Sequence, residues 1–228
     1  MTVHVTNIDN ARATPADLRI PSRPARKGLY RGGLKRSFET VLILLAAPFV
    51  LPFSLLIAGL IALEGHSPFY RQERIGKDGR RFMMWKFRTM VPDAEQRLQD
   101  HLQASPKARI EWATTQKLKD DPRCTRFGRV LRRSSMDELP QLLNVLMGDM
   151  ALVGPRPMMP EQQSLYPGAS YYRLRPGITG FWQVSARNES EFVDRALYDD
   201  MYDDRLSLPT DVRLLAQTAG AVLRGTGY

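Results

Sequence analysis

Between Val41 and Leu63 the chain reads VLILLAAPFVLPFSLLIAGLIAL, without one charged residue. As a helix this run covers roughly 34 Å at about 1.5 Å per residue, enough for the hydrocarbon core of a bilayer. It does not read as a cleavable signal, because the polar stretch before it is too long and no small-residue cleavage site follows. Its flanks argue against simple crossing. Arg31, Lys35 and Arg36 precede it, and Arg71, Arg74, Lys77, Arg80 and Arg81 follow; the positive-inside tendency places both ends in the cytoplasm. Within the run, Pro48 and Pro52 each remove a backbone donor and bend a helix. A helix–break–helix entering and leaving by one face satisfies all three facts; a Pro-kinked spanning helix with one weak flank is the alternative.

The rest of the chain divides around this segment. Residues 1–34 are polar and basic, with scattered Pro and Arg and no apolar period, as in a disordered tail. Residues 35–66 hold the membrane helix, and residues 67–228 carry the material for a folded domain. The net charge of +9 asks for a polyanionic partner: nucleic acid, anionic lipid or a phosphate-rich substrate. Nucleic acid is disfavoured, since such a binder has no use for the uncharged run. Cys124 is the single cysteine, which excludes an intrachain disulfide and suits a reducing compartment.

Local patterns give a helix-rich α+β outline. Phe69–Gln72 and Arg81–Arg88 flank an Asp78-Gly79 turn, a hairpin in which Phe82, Met84, Lys86 and Arg88 share a face. Residues 92–118 are polar and helical, opening at Pro92-Asp93. Pro140 requires a helix to begin close to Asp137, with Leu139, Leu142, Leu143, Leu146 and Met147 at i, i+3, i+4 spacing as its buried stripe. Leu214, Leu215, Thr218, Ala219, Val222 and Leu223 repeat at helical spacing, for a helix packed on the core or lying at the membrane interface.

The adjacent acids Asp137 and Glu138 have an ordinary explanation. Asp137 could cap the helix, Ser135 and Glu138 fit a capping box, and acids complement the positive end of a helix dipole. Their neighbourhood asks for more. Arg123, Arg126, Arg129, Arg132 and Arg133 lie just upstream, and GPRP places Arg156 in a rigid turn downstream. Arginine's planar fork suits phosphate oxygens. A carboxylate among arginines is a plausible nucleophile toward phosphorus, and its neighbour could hold Mg²⁺. A solvated basic face against anionic lipid remains the alternative for the arginines.

Four ordered motifs, RIGKDGRRFMMWKFRTM, DDPRCTRFGRVLRRSSMDELPQLLNVLMGDMALVGPRP, RPGITGFWQVSAR and YDDMYDDRLSLPTDV, resemble the bacterial sugar transferases: small monotopic polyprenyl-phosphate phosphoglycosyl transferases of the exopolysaccharide and O-antigen priming type. The resemblance covers about residues 35–228. It implies a re-entrant helix broken at proline, Pro52 being the better match beside Pro48, and a catalytic domain on the cytoplasmic face of the bacterial inner membrane, with interfacial amphipathic helices. It implies that a carboxylate matching Asp137 attacks the sugar-linked phosphate of a nucleoside diphosphate sugar. Polyprenyl phosphate then takes the sugar phosphate from the aspartyl intermediate. Glu138 matches the second member of the catalytic pair, assisting with Asp137 through Mg²⁺. Lys86, Arg88, Arg132 and Arg156 match positions facing phosphates, while Thr179, Gln183 and Arg187 shape the substrate pocket. Membrane lipids are partners, and a homodimer is compatible with the pattern. The sugar is not legible. Two other classes stay in view: a Mg²⁺-dependent membrane hydrolase or lipid phosphotransferase without a covalent intermediate, and a non-enzymatic basic membrane-surface binder.

Overall fold

In the computed structural model the described residues are 28–115, 118, 120–185 and 192–223. Helical structure starts with a π-type turn at Tyr30–Leu34, inside the stretch expected to be tail, and continues into α1, Lys35–Leu63. The early start has a cause: Tyr30 and Arg31 are already bonded to the folded domain, through Asp211 and Asp203. At 29 residues α1 is about 43 Å long. Among the described residues it is the one helix long and apolar enough to cross a membrane. Its backbone stays helical through Pro48 and Pro52, so the expected break is a weak point within one helix. There the carbonyls of Leu44 and Pro48 lose their usual donors.

One stripe of α1 faces protein. Glu39, Ile43, Ile57 and Ile61 are buried, whereas Leu44, Leu45, Phe49, Leu51, Leu55 and Leu56 are exposed. Ile43 joins the main core with Met84, Val145, Met150, Leu152, Tyr202 and Leu214. Ile57 and Ile61 pack instead with Phe87 and Leu131. Both halves of α1 therefore dock on the same folded body.

The hairpin forms as the Asp-Gly dipeptide dictates. β1, Phe69–Ile75, pairs antiparallel with β2, Arg81–Phe87; Asp78 and Gly79 turn the chain at positive φ, 57° and 75°. Tyr70 lies opposite Lys86 and Arg74 opposite Phe82, which puts Arg74 and Lys86 on one face. The polar segment expected to be helical forms α2, Ala94–Ala104, and α3, Pro106–Thr115. Pro106 starts the second, and the Ser105 hydroxyl caps it by accepting from the Ala108 N–H at 3.2 Å. α4, Arg126–Arg133, crosses tightly over the end of β2, because Gly128 lies where a Cβ would overlap the Thr89 carbonyl.

α5, Gln141–Met147, corrects the sequence reading. Its buried residues are Gln141, Asn144 and Val145, whereas Leu143 is 51% and Met147 57% exposed and Leu146 is also exposed. Leu139 and Leu142 of the expected stripe pack on the core clusters, but Leu143, Leu146 and Met147 point outward because Asn144 has work inside. Its amide accepts from the Trp85 N–H at 3.0 Å and donates to the Met83 carbonyl at 2.8 Å, standing in for a third strand beside β2. Past α5, β3 (Ala151–Val153) and β4 (Gly177–Thr179) form a short parallel pair that the sequence reading did not contain. Gly154 and Gly177 allow it, since a Cβ on either would strike the opposing backbone. α6, Ser170–Arg173, α7, Phe181–Ser185, α8, Arg195–Arg205, and α9, Leu208–Leu223, complete the domain.

Candidate active site

Asp137 and Glu138 do not cap α5. They sit in a 3₁₀ turn, Met136–Glu138, entered through Ser135 in the left-handed conformation at φ 56°. Ser135 makes no side-chain cap bond, and the residue at the N-cap of α5 is Pro140. A serine at positive φ is uncommon, and here it swings the acids out of the helix axis toward β2. Lys86 meets them there: its ammonium donates to Glu138 Oε1 at 2.8 Å and stands 3.4 Å from Asp137 Oδ2. Asn144 holds the β2 backbone just before Lys86, so α5 positions the lysine as well as the acids.

Asp137 is buried, at 8% exposure. Burial pushes its carboxyl above the usual range; Lys86 and Arg132 pull it back down, and Glu138 pushes it up again. A carboxylate that costs energy to keep ionised, with a cation at its side, has the chemistry of a nucleophile. Arg132 is oriented by Thr89, whose hydroxyl accepts from its Nε at 2.9 Å. The acid pair matches the modest ligand set Mg²⁺ takes, one or two carboxylates with phosphates and water. Among the described residues no group of three or more His, Cys, Asp or Glu could hold a metal without substrate.

The other expected residues fall at different distances from this centre. Arg88 turns toward the hairpin's base, donating to the Ser67 carbonyl at 3.0 Å and lying 6.0 Å from the Tyr70 ring. Arg156 lies on the loop after β3, 5.7 Å from the Trp182 ring. Thr179 and Gln183 are buried behind that loop, and the Thr179 hydroxyl pairs with Thr218 of α9 at 2.6 Å. They support the wall from within. Arg187 lies outside the described residues.

Two residues escaped the sequence reading. Arg195 stacks on Trp182 at 4.2 Å and on Phe192 at 4.8 Å. Arg74 shares the hairpin face with Lys86 and feels the charge of Glu138. Arg74 could have been found, because the hairpin register alone places it on the Lys86 face; Arg195 carried no local signal. Asp199 lies beneath Arg195, buried, with the Tyr166 hydroxyl donating to it at 2.6 Å. Burial pushes its carboxyl up to about 7, against the opposing pull of Tyr166 and Arg195.

Comparison with known proteins identifies the family to which the chain belongs. Residues 30–225 match the family described as bacterial sugar transferase. The chain is 43% identical over 210 residues to the exopolysaccharide production protein ExoY of Sinorhizobium fredii, covering 90% of this chain and 93% of that protein. It is 40% identical over 196 residues to the undecaprenyl-phosphate galactose phosphotransferase of Salmonella typhimurium, covering 85% of this chain and 41% of the relative. It is also 40% identical over 197 residues to the UDP-glucose:undecaprenyl-phosphate glucose-1-phosphate transferase of Xanthomonas campestris, covering 81% and 38% respectively. The chain thus spans nearly all of the first relative and about two-fifths of the two longer ones.

Proposed function

Because the chain belongs to the bacterial sugar transferase family and is a phosphoglycosyl transferase, we propose that it moves a sugar 1-phosphate from a UDP-hexose to polyprenyl phosphate through a covalent intermediate on Asp137. The observation that carries this is the acid pair, its Asp137 buried, swung onto Lys86 instead of capping its helix. An Asp137 oxygen forms a bond to the sugar-linked phosphorus. The bond from that phosphorus to the nucleoside phosphate breaks, and its electron pair leaves with UMP. A polyprenyl phosphate oxygen then bonds to the same phosphorus, and the pair in the Asp137–phosphorus bond returns to the carboxylate. Each half uses one buried nucleophile in turn. Lys86 holds the carboxylate ionised and oriented, and Arg132 adds positive potential for the transferring group. Glu138 with Asp137 would hold Mg²⁺, which when bound supplies charge neutralisation to the diphosphate.

The membrane arrangement supports the same chemistry, because one substrate is soluble and the other is a lipid phosphate at the interface. We read α1 as a re-entrant, monotopic anchor weakened at Pro48 and Pro52, with the domain on the cytoplasmic face. Two facts favour this. Both halves of α1 pack on one folded body, and the outward leucines of α5 extend the apolar surface beside it. The product is the first lipid-linked sugar of a bacterial polysaccharide. Relatives named for galactose and for glucose are equally similar, so the hexose is left to experiment.

The test is the intact mass of purified enzyme after incubation with Mg²⁺ and a panel of UDP-sugars, without lipid acceptor, beside Asp137→Asn. A gain of one sugar phosphate in the unmutated protein alone is expected, and it names the hexose. UMP release that appears only with polyprenyl phosphate, and no adduct with any sugar, would mean direct transfer with the acids as metal ligands.

A further inference from the structure

Three guanidiniums, one of them on the hairpin face that carries Lys86, stand close enough to repel one another. Arg156 and Arg195 both lie on the indole of Trp182, at 5.7 and 4.2 Å. Arg74 completes the group, raising the cost of protonating Arg195 while Arg156 does the same to both. Among the described residues none of the three forms an ion pair. Arg74 spends one nitrogen on the neutral amide of Gln72 at 2.6 Å, and the Nε atoms of Arg74 and Arg195 are buried without a hydrogen-bond partner. The nearest acid behind them, Asp199, already accepts the Tyr166 hydroxyl. Burial and mutual repulsion push Arg74 and Arg195 down to about 10, and both remain cations at neutral pH.

Packed like charges cost stability unless a ligand discharges them. We propose that Arg156 and Arg195 on Trp182, together with Arg74 on the hairpin, form a phosphate-monoester subsite that holds the departing UMP and afterwards the phosphate of the polyprenyl acceptor. This rests on the transferase reading and deepens it. The link to the reaction centre is Arg74, which shares the hairpin face of Lys86 and feels both Glu138 and Arg156, while Arg195 feels it in turn. In two successive in-line displacements at one phosphorus, the second nucleophile must enter opposite Asp137, on the side from which UMP departed. UMP and polyprenyl phosphate are both phosphate monoesters, so one arginine cradle serves both halves of the reaction. Trp182 then acts as the platform that spaces the guanidiniums, and its ring faces are not free to stack on uracil.

The experiment measures binding of UMP, and separately of a short-chain polyprenyl phosphate in nanodiscs, to the full chain and to Arg195→Met and Arg74→Gln. Loss of one charge-assisted contact should weaken each ligand by about 10-fold or more, and UMP should displace the lipid phosphate competitively. Unchanged affinity for both overturns the subsite; loss for one ligand alone overturns its sharing. Should either variant fold poorly, arginine modification by phenylglyoxal on the unmutated protein decides the matter. UMP must protect Arg74 and Arg195, and equal labelling with and without UMP rejects the proposal. Failure of the transferase reading looks different: the unmutated protein would release no UMP when given UDP-sugar and polyprenyl phosphate together.

Discussion

Two regions of this molecule bury charge and treat it in opposite ways. At the start of α1 the half-buried cations Arg31 and Lys35 each meet an acid. The Lys35 ammonium is 2.8 Å from Glu39 and 2.6 Å from Asp211, and Arg31 and Arg173 share Asp203 at 2.6 Å each. The remaining acceptor capacity is filled as well: Glu39 takes the Leu152 N–H at 3.0 Å, and Asp211 takes the hydroxyls of Tyr30 and Tyr202 at 2.7 Å. Around Trp182 the arginines form no ion pair among the described residues, and at the 3₁₀ turn Lys86 lies between Asp137 and Glu138. The balanced region is architecture, clamping the membrane helix to β3, α8 and α9. The unbalanced region is a site, because its missing charge is the kind a substrate brings. Buried charge alone identifies neither; the state of its compensation separates them.

The comparison breaks most visibly at Asp137. Asp137→Asn removes the nucleophile while leaving the shape, and transfer should fall on the order of 10⁴-fold or more. Stability should not fall with it. The folded-state carboxyl titrates above its unfolded value, so its contribution to stability is present at low pH and is lost as pH rises through the raised value. At neutral pH the ionised group is a net cost, and the amide variant should melt at the same temperature or higher. A lower melting temperature would place Asp137 among the structural charges.

The opposite pattern is expected of Asp211→Ala. Removing one member of a compensated buried network leaves Lys35 with Glu39 alone and takes the acceptor from the Tyr30 and Tyr202 hydroxyls, at about 3–5 kcal/mol in denaturation experiments. Variants that still fold should keep the ability to form the sugar-phosphate adduct. If Asp211→Ala loses adduct formation at full stability, the clamp belongs to the site and the distinction fails. Lys86→Met tests the boundary between the regions. Without the lysine the Asp137 carboxyl rises further, since its main opposing charge is gone. The acidic limb of adduct formation, followed by intact mass across pH, should therefore move to higher pH than in the unmutated protein. An unmoved limb would assign that limb to another group.

How much of this was readable in advance follows the range of the interactions. The apolar run, the hairpin and the DE pair are local signals: an uncharged stretch, an Asp-Gly turn, two acids beside a proline. Strand alternation put Lys86 on a face with Phe82, Met84 and Arg88, and only the resemblance marked it as a site residue. What escaped was set by partners distant in sequence. Nothing near residue 195 shows that its guanidinium will meet Trp182, and no period announces two three-residue strands that exist because Gly154 and Gly177 let their backbones touch. The buried leucine stripe on α5 was misread for an instructive reason. Helical periodicity reports which residues share a face, and it is silent on whether that face meets protein or lipid. Asn144 decided the question by taking the inner side to hold β2.

That inversion gives the smallest expected effect. Leu143→Ala would cost about 2–5 kcal/mol in an ordinary core, from lost burial and the cavity left behind. Here Leu143 is 51% exposed while Val145, two residues on, is 4% exposed. In detergent Leu143→Ala should change the unfolding free energy by no more than about 0.5 kcal/mol, whereas Val145→Ala should cost several times that. The leucine should matter in another phase. A fluorophore at Leu143→Cys should be quenched by lipid-borne quenchers when the enzyme is in nanodiscs, and little by a water-soluble quencher. The outward leucines are uncompensated in the same sense as the arginines round Trp182, each group exposing a surface that only its partner satisfies: lipid for one, phosphate for the other. A Leu143→Ala cost near that of Val145→Ala would put the stripe back in a core, and the membrane face assigned to α5 would be withdrawn.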